Sequence, residues 1–450
     1  MHARAQHDTT SYSRADLNAL VERVLKEAST QGASQAEVGV SIESGLTLSV
    51  RLGEVETLEY QRDRGLGVTA YFGTRKGSAS TTDLSAAAVS ESVRAACSIA
   101  RYTAEDACAG LADAALMAID IPDLDLCYPW ALEPEQASDI AKRCEDAARG
   151  FDQRIVNSEG ATVASHQGLR VYGNSHGFMG GYASTSHSLT CAVVGHAGKS
   201  MQRDYWYTAA RDPKELESAD AVGRKAAERT VARLGARKLS TRQSPILFAP
   251  EVARGLIGHF LGAIRGGAQY REASFLLNAA GERIFPGFVQ LSERPHLKKA
   301  LASTAFDNEG VATRDRELVD AGVLQHYLLS SYSARKLGLQ ATGHAGGVHN
   351  LIVKPGALDF AGLLKQMHTG LVVTELMGQG VNGVTGDYSR GAAGFWVENG
   401  ELAFPVEEIT IAGNLKDIYR NVIAVGKDVD VRGGIRTGSI LIGEMTIAGA

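Results

Sequence analysis

Hydrophobic residues near the start of the chain recur at helical spacing. Between residues 13 and 31 the apolar positions lie three or four residues apart, which is typical of one buried face of a helix: Leu17, Leu20, Val21, Val24, Leu25 and Ala28. Ser13 and Asp16 are spaced as in a capping box, and Gly32 is suited to end a helix. The pattern predicts an amphipathic helix over residues 13–31.

A different pattern follows this helix, because apolar and polar residues then alternate. Four short runs show it, and glycine or charged residues separate them: EVGVSIE, LTLSVRL, EVETLEY and LGVTAYF. Alternation with such turns predicts an antiparallel meander. Further helical patterns occupy residues 82–99, a stretch that opens at Pro134, and residues 213–234, while strand-like runs occupy 154–200 and the closing segment. The chain is therefore predicted to be an α+β protein.

The segment 119–134 interrupts these patterns. It contains three of the ten prolines and shows no periodicity, so it predicts a linker. After residue 235 the sequence changes to short strands and glycine turns. We therefore predict an N-terminal domain of helices and antiparallel sheet at residues 1–235, with a possible subdivision near 119–134. A β-rich C-terminal domain is predicted at residues 236–450.

The charge and composition of the chain exclude several classes of protein. It has 46 basic and 51 acidic residues, a net charge of −5, which argues against a nucleic acid or an anionic membrane as partner. No apolar run approaches the ~18 residues of a membrane span, and the polar N-terminal segment lacks the apolar stretch of a secretory signal. The five cysteines are irregularly spaced, as is typical of reduced thiols. A cytoplasmic location is expected.

The stretch PEVARGLIGHFLGAI at residues 250–264 predicts a helix with two unlike faces. At ~100° per residue one half carries the large apolar side chains, and the opposite side carries Gly255, Gly258, Gly262 and Gly266. A glycine inside a helix costs ~1 kcal/mol relative to alanine, so we expect another backbone to approach the glycine face closely. His259 lies at the edge between the faces, and without an adjacent acid or a second histidine it does not indicate a metal site.

Three further motifs have simpler interpretations than the chemistry they suggest. G-x-S-x-G at 173–177 lacks the following helix of a hydrolase nucleophile elbow and predicts a turn. G-x-G-x-x-G at 378–383 lacks the helix of a dinucleotide site and predicts a loop whose backbone a ligand or partner can approach. His344 and His349 lie close together in a glycine-rich loop, but zinc requires three or four ligands.

Several segments taken together resemble the PmbA/TldD family, and its PmbA (TldE) branch more closely than TldD. They are NSHGF at 174–178, RDYWYTAARDP at 203–213, VNGVTGDYS at 381–389, ENG at 398–400 and IAGNL at 411–415. Each segment is short, but their order and spacing extend over nearly the whole chain. The resemblance implies the fold of that family and a two-subunit zinc metallopeptidase of the cytoplasm. Such an enzyme takes unfolded polypeptide into an enclosed chamber, and the family has been linked to peptide maturation and antitoxin degradation.

In the TldD-like subunit of that family a helix carries H-E-x-x-x-H, and a later cysteine completes the zinc site. Aligned with that helix, this sequence has Gly258 and Ala263 in place of the histidines and His259 in place of the glutamate, and no cysteine follows Cys191. The resemblance therefore implies that this chain has no catalytic or metal-ligating residue and no cofactor of its own. Zinc is expected in a TldD-like partner, with which the chain would form a heterodimer; a homodimer is the alternative.

The glycine-rich loop at 378–389 is the candidate substrate-binding segment. Its glycines allow close approach of a polypeptide backbone, and its polar side chains can hydrogen-bond an extended chain. The candidate residues are Asn382, Gly383, Thr385, Asp387 and Ser389. The alternative is a structural loop in which Asp387 satisfies buried amides.

Two other functions are compatible with the same residues. One is a self-sufficient metalloprotease whose metal site is assembled from His344, His349 and residues remote in sequence. The other is a regulatory binding protein without a peptidase role, in line with the older association of the family with modulation of DNA gyrase. The net charge of −5 argues against direct contact with DNA.

Overall fold

The computed structural model describes residues 12–449, so most of the N-terminal segment considered for a secretory signal lies outside the described residues. The helices and strands of residues 12–234 are, in chain order, α1 (Arg14–Thr30), β1 (Gln35–Arg51), β2 (Glu54–Phe72), β3 (Arg75–Thr81), α2 (Ala86–Tyr102), α3 (Pro134–Arg149), β4 (Ile155–Asn174), β5 (Met179–Ala197), β6 (Ser200–Ala210) and α4 (Ala219–Ala232).

The first predicted helix is confirmed as α1, together with its capping box. The Ser13 hydroxyl accepts a hydrogen bond from the Asp16 backbone N–H at 3.2 Å, and the Asp16 carboxylate accepts one from the Ser13 N–H at 2.7 Å. Both bonds satisfy N–H groups that the start of a helix leaves without partners. Residues 119–133, predicted as a linker, contain no α-helix or strand, and Leu124 and Leu126 of this segment are buried in a cluster with Phe178 and Phe306.

The helix predicted over residues 213–234 is shorter than expected. A single 3₁₀ turn covers Pro213–Glu215, and α4 begins only at Ala219. The Ser218 backbone is extended, and its side chain accepts a hydrogen bond from the Ala221 N–H. Serine in this position caps a helix rather than continuing one, so the prediction was wrong for its first six residues.

The first six strands form one antiparallel sheet in the order β3-β2-β1-β4-β5-β6. The predicted antiparallel pairing is confirmed, but the four predicted short strands are two long ones, because the first two runs lie in β1 and the last two in β2. Helices cover one face of this sheet in two pairs. Helices α1 and α2 pack over Val38 and Val40 of β1, and α3 and α4 pack over Leu46 and Leu48 of the same strand. These four residues are an even number of positions apart, so they lie on the same face.

The C-terminal half is richer in short strands. Its helices and strands are, in chain order, β7 (Arg242–Phe248), α5 (Pro250–Ala263), α6 (Gly266–Tyr270), β8 (Leu291–Glu293), β9 (Arg316–Asp320), β10 (Val323–Leu324), α7 (Ser331–Leu337), β11 (Leu351–Val353), α8 (Phe360–Met367), β12 (Gly370–Met377), β13 (Asp387–Glu398), β14 (Glu401–Asn414), α9 (Leu415–Arg420), β15 (Val422–Val425), β16 (Ile435–Arg436) and β17 (Ile440–Ala448).

These strands form a small sheet, β10-β9-β8-β11-β16, and a larger sheet, β14-β13-β12-β7-β17-β15. The larger sheet closes on itself, because β14 pairs with β13 and also with β17 through Thr410, Ile411 and Ala412. Helix α5 packs in the core of this half, where Phe260 contacts the ring of Tyr419. The chain is an α+β protein, as the sequence predicts. None of the helices within residues 12–449 has the length and apolarity required to cross a bilayer.

Candidate functional site

Helix α5 follows β7 after a single residue and starts at Pro250, whose fixed φ suits the first helical position. Its large apolar residues are buried in the core, among them Leu256, Ile257 and Phe260. The Tyr419 hydroxyl donates a hydrogen bond to the Leu256 carbonyl oxygen at 2.9 Å. The structure therefore confirms the predicted helix and its buried apolar face.

The opposite face of α5 is open, and the expectation of a second backbone packed against it was wrong. A Cβ atom placed at Gly255, Gly258 or Gly262 would meet no atom of the described residues within 4 Å. Gly266 differs from these three, because it begins α6 and lies against Ser333. The reason is that no element of residues 12–449 passes over this face. The ~1 kcal/mol cost of each helical glycine is therefore not offset by packing within the chain.

The N-terminal half of α5 is held against β6 of the first sheet. Arg254 donates a hydrogen bond to the Tyr207 hydroxyl at 3.1 Å. The guanidinium group of Arg432 lies 4.0 Å from the ring centroid of Trp206 and 4.5 Å from that of Tyr207, as in cation–π pairs. The RDYWYTAARDP segment thus forms part of the contact between the two halves of the chain and fixes the position of the open helix face.

A cleft of about 330 Å³ lies beside this contact and reaches Gly255 on the open face. Charged side chains line it: Arg203, Arg229, Arg233, Arg254 and Arg390 with Asp204, Glu251 and Glu375. Several form ion pairs, since Arg229 lies 2.9 Å from Glu251 and Arg233 lies 2.5 Å from Glu375. Such a polar lining suits a polar chain better than an apolar ligand.

His259 lies beside the open face, next to the first residues of β13. Its ring centroid is 6.0 Å from that of Tyr388 in an edge-to-face arrangement. Burial, together with the charge of Arg390, lowers the pKa of His259 and keeps the imidazole neutral. One imidazole beside a guanidinium group does not fit the zinc that the family resemblance places on the corresponding TldD helix. Among the residues that the structure describes, no group of three or more His, Cys, Asp and Glu is arranged to hold a metal ion.

Four of the five candidate substrate-binding residues lie on one surface. Asn382, Gly383, Asp387 and Ser389 line an open concavity of about 550 Å³, together with residues 379–381. Thr385 does not line it, because its hydroxyl turns toward Asp387 and donates a hydrogen bond to Oδ2 at 2.6 Å. The structure thus brings most of the predicted set together at the start of β13.

Part of the hydrogen-bonding capacity of this loop is used within the chain. The Asn382 Oδ1 atom accepts hydrogen bonds from the Val384 and Thr385 N–H groups at 2.9 and 3.2 Å. Asp387 Oδ1 accepts one from the Asn414 side chain at 3.3 Å. Gly383 has open space on its Cβ side, and Ser389 is exposed. The Gly383 carbonyl oxygen also accepts a hydrogen bond from the Phe275 N–H at 3.0 Å. Asn382 and Asp387 therefore order the loop, whereas the exposed Ser389 side chain is available to a substrate. A substrate-binding role of the loop stays a prediction.

His344 and His349 share one buried carboxylate, that of Glu293 in β8. His344 Nε2 lies 2.7 Å from Glu293 Oε2, and His349 Nδ1 lies 3.1 Å from Oε1. Burial would raise the pKa of Glu293, but the hydrogen bonds from both histidines lower it to about 2. The ring of His326 lies 6.4 Å from that of His344, and its buried Nε2 atom has no hydrogen-bond partner among the described residues. We call Glu293, His326, His344 and His349 the histidine cluster.

The sequence did not point to Glu293. It belongs to a three-residue strand and is 51 positions from His344. Neither spacing nor local pattern connects a carboxylate with a histidine over that distance. The cluster orders the loop at 344–349, because Glu293 Oε1 also accepts the backbone N–H of His349 at 2.6 Å.

Models of known protein families match three consecutive parts of the chain. They are described as PmbA/TldA metallopeptidase domain 1, at residues 36–100, the central domain, at 127–234, and the C-terminal domain, at 241–449. Together these matches cover most of the chain.

Individual relatives agree with this assignment. The chain is 54% identical over 414 residues to Metalloprotease PmbA of Escherichia coli O157:H7, with 92% of each chain covered. It is 51% identical over 424 residues to a Metalloprotease PmbA homolog of Haemophilus influenzae, with 94% of each covered. The crystal structure of a proposed modulator of DNA gyrase from Bacteroides thetaiotaomicron superposes with a TM-score of 0.92 at 29% identity, covering 97% of this chain and 100% of that one. This chain belongs to the PmbA/TldD family.

Proposed function

We propose that this chain is the PmbA/TldE-like, non-catalytic subunit of a cytoplasmic zinc metallopeptidase that degrades or matures unfolded polypeptides. The open face of α5 is the observation that carries the proposal. Gly258 and Ala263 stand where the resembled zinc helix has histidines, and His259 stands where it has glutamate. The neutral His259 could supply only one nitrogen ligand to a metal ion, and the nearby positive charge of Arg390 would repel that ion. The zinc would therefore belong to a TldD-like partner.

The surroundings of α5 support a role in holding substrate. The charged cleft reaches Gly255, and Arg390 lines that cleft one residue after Ser389, which lines the loop concavity. A polypeptide could run from the cleft across the glycine face to the loop. With no side chain on that face, the substrate backbone could approach the helix closely. In an extended chain, backbone hydrogen bonds would supply most of the affinity and sequence preference would be weak.

The self-sufficient metalloprotease has less support. His344 and His349 would be its ligands, but both side chains are hydrogen-bonded to Glu293. Binding a metal there would break the two buried hydrogen bonds between these histidine side chains and the Glu293 carboxylate. The regulatory alternative is supported by the description of the Bacteroides relative as a proposed gyrase modulator, and it predicts no peptidase partner.

The test is reconstitution with a TldD-like protein of the same organism. Each chain is purified alone, the two are mixed, and the mass of the assembly and the cleavage of an unstructured peptide are measured. We expect a heteromeric complex that cleaves the peptide much faster than either chain alone. If the two chains never associate, or if the TldD-like chain cleaves equally fast without this one, the proposal is wrong.

The contribution of the glycine face is tested in the same assay. Gly258→Leu places a side chain on the open face without changing charge, and Gly53→Leu provides a control at a turn where a Cβ atom also meets no atom within 4 Å. Gly53 has a φ of +83°, so this control includes some backbone strain and any loss of folding is monitored by circular dichroism. We expect the Gly258 variant to associate normally and to lose cleavage.

A further inference from the structure

The charged cleft beside α5 contains more arginines than its own carboxylates can neutralise. Five arginines and three carboxylates line it. Arg229 lies 3.3 Å from Asp204 and 2.9 Å from Glu251. Arg233 lies 3.5 Å from Asp204 and 2.5 Å from Glu375. All three carboxylates of the cleft are therefore in ion pairs with these two arginines.

Arg390 of β13 has no carboxylate partner among residues 12–449. Its Nε atom donates a hydrogen bond to the Met377 carbonyl oxygen at 3.1 Å, and this is the one hydrogen bond of its side chain within the described part of the protein. The N–H donors on the two terminal nitrogens of the guanidinium group are thus unused there. The charge of Arg390 also reaches the glycine face, since burial together with that charge lowers the pKa of His259.

Arg254 of α5 is held mainly by uncharged oxygen atoms. Its Nε atom donates to the Glu251 carbonyl oxygen at 3.0 Å, and Nη1 donates to the Tyr207 hydroxyl at 3.1 Å. The Asp430 carboxylate is 4.0 Å away and already accepts hydrogen bonds from Arg432 at 2.9 and 3.1 Å. These contacts fix the position of the Arg254 side chain but leave most of its charge without a partner.

The remaining arginine of the cleft, Arg203, differs from these two. The carboxylate of exposed Glu159 lies 2.8 Å from it. The surplus positive charge of the cleft therefore belongs to Arg254 and Arg390, although the whole chain has a net charge of −5. Both residues are on regular elements, and the cleft that they line reaches Gly255 on the open face.

We propose that Arg254 and Arg390 bind a carboxylate of the polypeptide that lies across the glycine face. An acidic side chain and a free C-terminus both offer this group. A guanidinium group can bind a carboxylate through two parallel hydrogen bonds, and such charge-assisted bonds are stronger than those between neutral groups. The cleft of about 330 Å³ is within the size range of ligand sites.

This inference rests on the proposed function, because it names the class of substrate for the path described there. Backbone contacts along the glycine face would carry little sequence preference. The two arginines would add a preference for negative charge at one position of the extended chain. A basic residue at that position would be repelled.

The test measures the binding of peptides to the full chain alone, because both arginines belong to this chain. Four unlabelled peptides share one unstructured, uncharged sequence with an acetylated N-terminus. The first ends in an amide, the second adds two central glutamates to it, the third instead ends in a free carboxylate, and the fourth has two central lysines and an amide end. Dissociation constants are measured by isothermal titration calorimetry at low ionic strength, where screening is weak.

We expect the glutamate peptide or the free-carboxylate peptide to bind about tenfold or more tightly than the uncharged amide. The one that does so identifies the source of the carboxylate. The lysine peptide should bind no more tightly than the uncharged amide. Equal dissociation constants for all four peptides would overturn the proposal.

Variants of the arginines locate the site. Arg254→Gln and Arg390→Gln should each remove most of the preference for a carboxylate, whereas Arg94→Gln, at an exposed position of α2, removes the same charge and should keep it. Arg390→Glu should make the lysine peptide bind more tightly than the glutamate peptide, a gain that loss of folding cannot produce. A preference that both glutamine variants retain would place the site elsewhere and overturn the proposal.

The outcome is distinguishable from failure of the proposed function, which the reconstitution assay decides. A lone chain that prefers the carboxylate peptides but never associates with a TldD-like protein keeps the carboxylate site and loses the peptidase role. A reconstituted complex that cleaves peptide, together with a lone chain that shows no preference, keeps the peptidase role and loses the carboxylate site.

Discussion

Gly223 in α4 lies directly against the backbone of Cys144 in α3, so closely that a Cβ atom at residue 223 would overlap the Cys144 carbonyl oxygen. This is the close approach of two helices that a buried helical glycine permits. The glycines of α5 have the same helical setting but no such neighbour, since a Cβ at Gly255 or Gly262 would meet nothing within 4 Å. The glycine of α4 is therefore packed against another helix, whereas the glycine face of α5 has no neighbour among residues 12–449.

This difference predicts opposite effects of the same substitution. Gly255→Ala and Gly262→Ala should each raise the free energy of unfolding by up to ~1 kcal/mol, because alanine favours the helix and fits the open space. Gly223→Ala should lower it by several tenths to about 3 kcal/mol, because the new methyl group overlaps α3. Urea unfolding of the purified chain measures all three. A destabilising Gly262→Ala would mean that the face is packed.

Different residues of the loop at 378–389 should have different roles: Asp387 should stabilise the loop, and Ser389 should contact the substrate. Asp387→Ala should lower the free energy of unfolding by about 1 kcal/mol, since it removes the hydrogen bonds from Thr385 and Asn414. Ser389→Ala should leave stability unchanged. In the reconstituted peptidase, Ser389→Ala should raise KM if the loop lines the substrate path. An unchanged KM together with a large Asp387 effect on stability would favour the purely structural loop.

Glu293 should stabilise the fold at neutral pH and lose this contribution to the free energy of unfolding in acid. Its pKa is lowered to about 2 in the folded chain from an ordinary value of 4.5, so its contribution is present above pH 4.5 and is lost as the pH falls toward 2. Glu293→Gln should therefore lower the free energy of unfolding by about 2–3 kcal/mol at pH 7. Glu43→Gln, on an exposed position of β1, is the matched control. Equal free energies of unfolding at pH 7 for the two variants would show that the hydrogen bonds of the Glu293 carboxylate to the two histidines do not stabilise the fold.

His326 should make the free energy of unfolding depend on pH at less acidic values than Glu293 does. Burial, together with the charge of Arg316, lowers its pKa to about 4 from 6.5. Between these values the unfolded chain takes up a proton that the folded chain does not, so stability falls as the pH drops from 6.5 toward 4. The loss should be on the order of 1–2 kcal/mol for this half-buried ring. His326→Gln should reduce the difference in unfolding free energy between pH 7 and pH 5, while the exposed His196→Gln should keep it.

The sequence predicted those features that depend on neighbours in the chain. Helix α1 follows from its apolar spacing and the Ser13–Asp16 cap, and the antiparallel pair β1 and β2 follows from alternation, although each strand is twice as long as the predicted runs. The helix prediction for residues 213–234 was wrong at its start. The Ser218 cap determines where the helix begins, although helix-forming residues also precede it. These are local effects, and their success or failure can be traced to single residues.

Features that depend on remote residues could not be read in the same way. The glycine face of α5 has the same sequence pattern whether another backbone covers it or not, so only the structure distinguishes the two. Glu293 lies 51 residues from His344, and no pattern links them. The loop residues were predicted as a set because they are close in sequence. The sequence does not show that the Thr385 side chain turns toward Asp387, because this orientation depends on the hydrogen bond between them.

We propose that this chain takes part in peptide cleavage without carrying the catalytic metal. The most direct measurement is the cleavage of an unstructured peptide by the purified chain alone, after incubation with zinc and with and without a chelator. We expect no cleavage above background under either condition and no stoichiometric zinc bound to the chain. Cleavage by the lone chain that the chelator abolishes would contradict it.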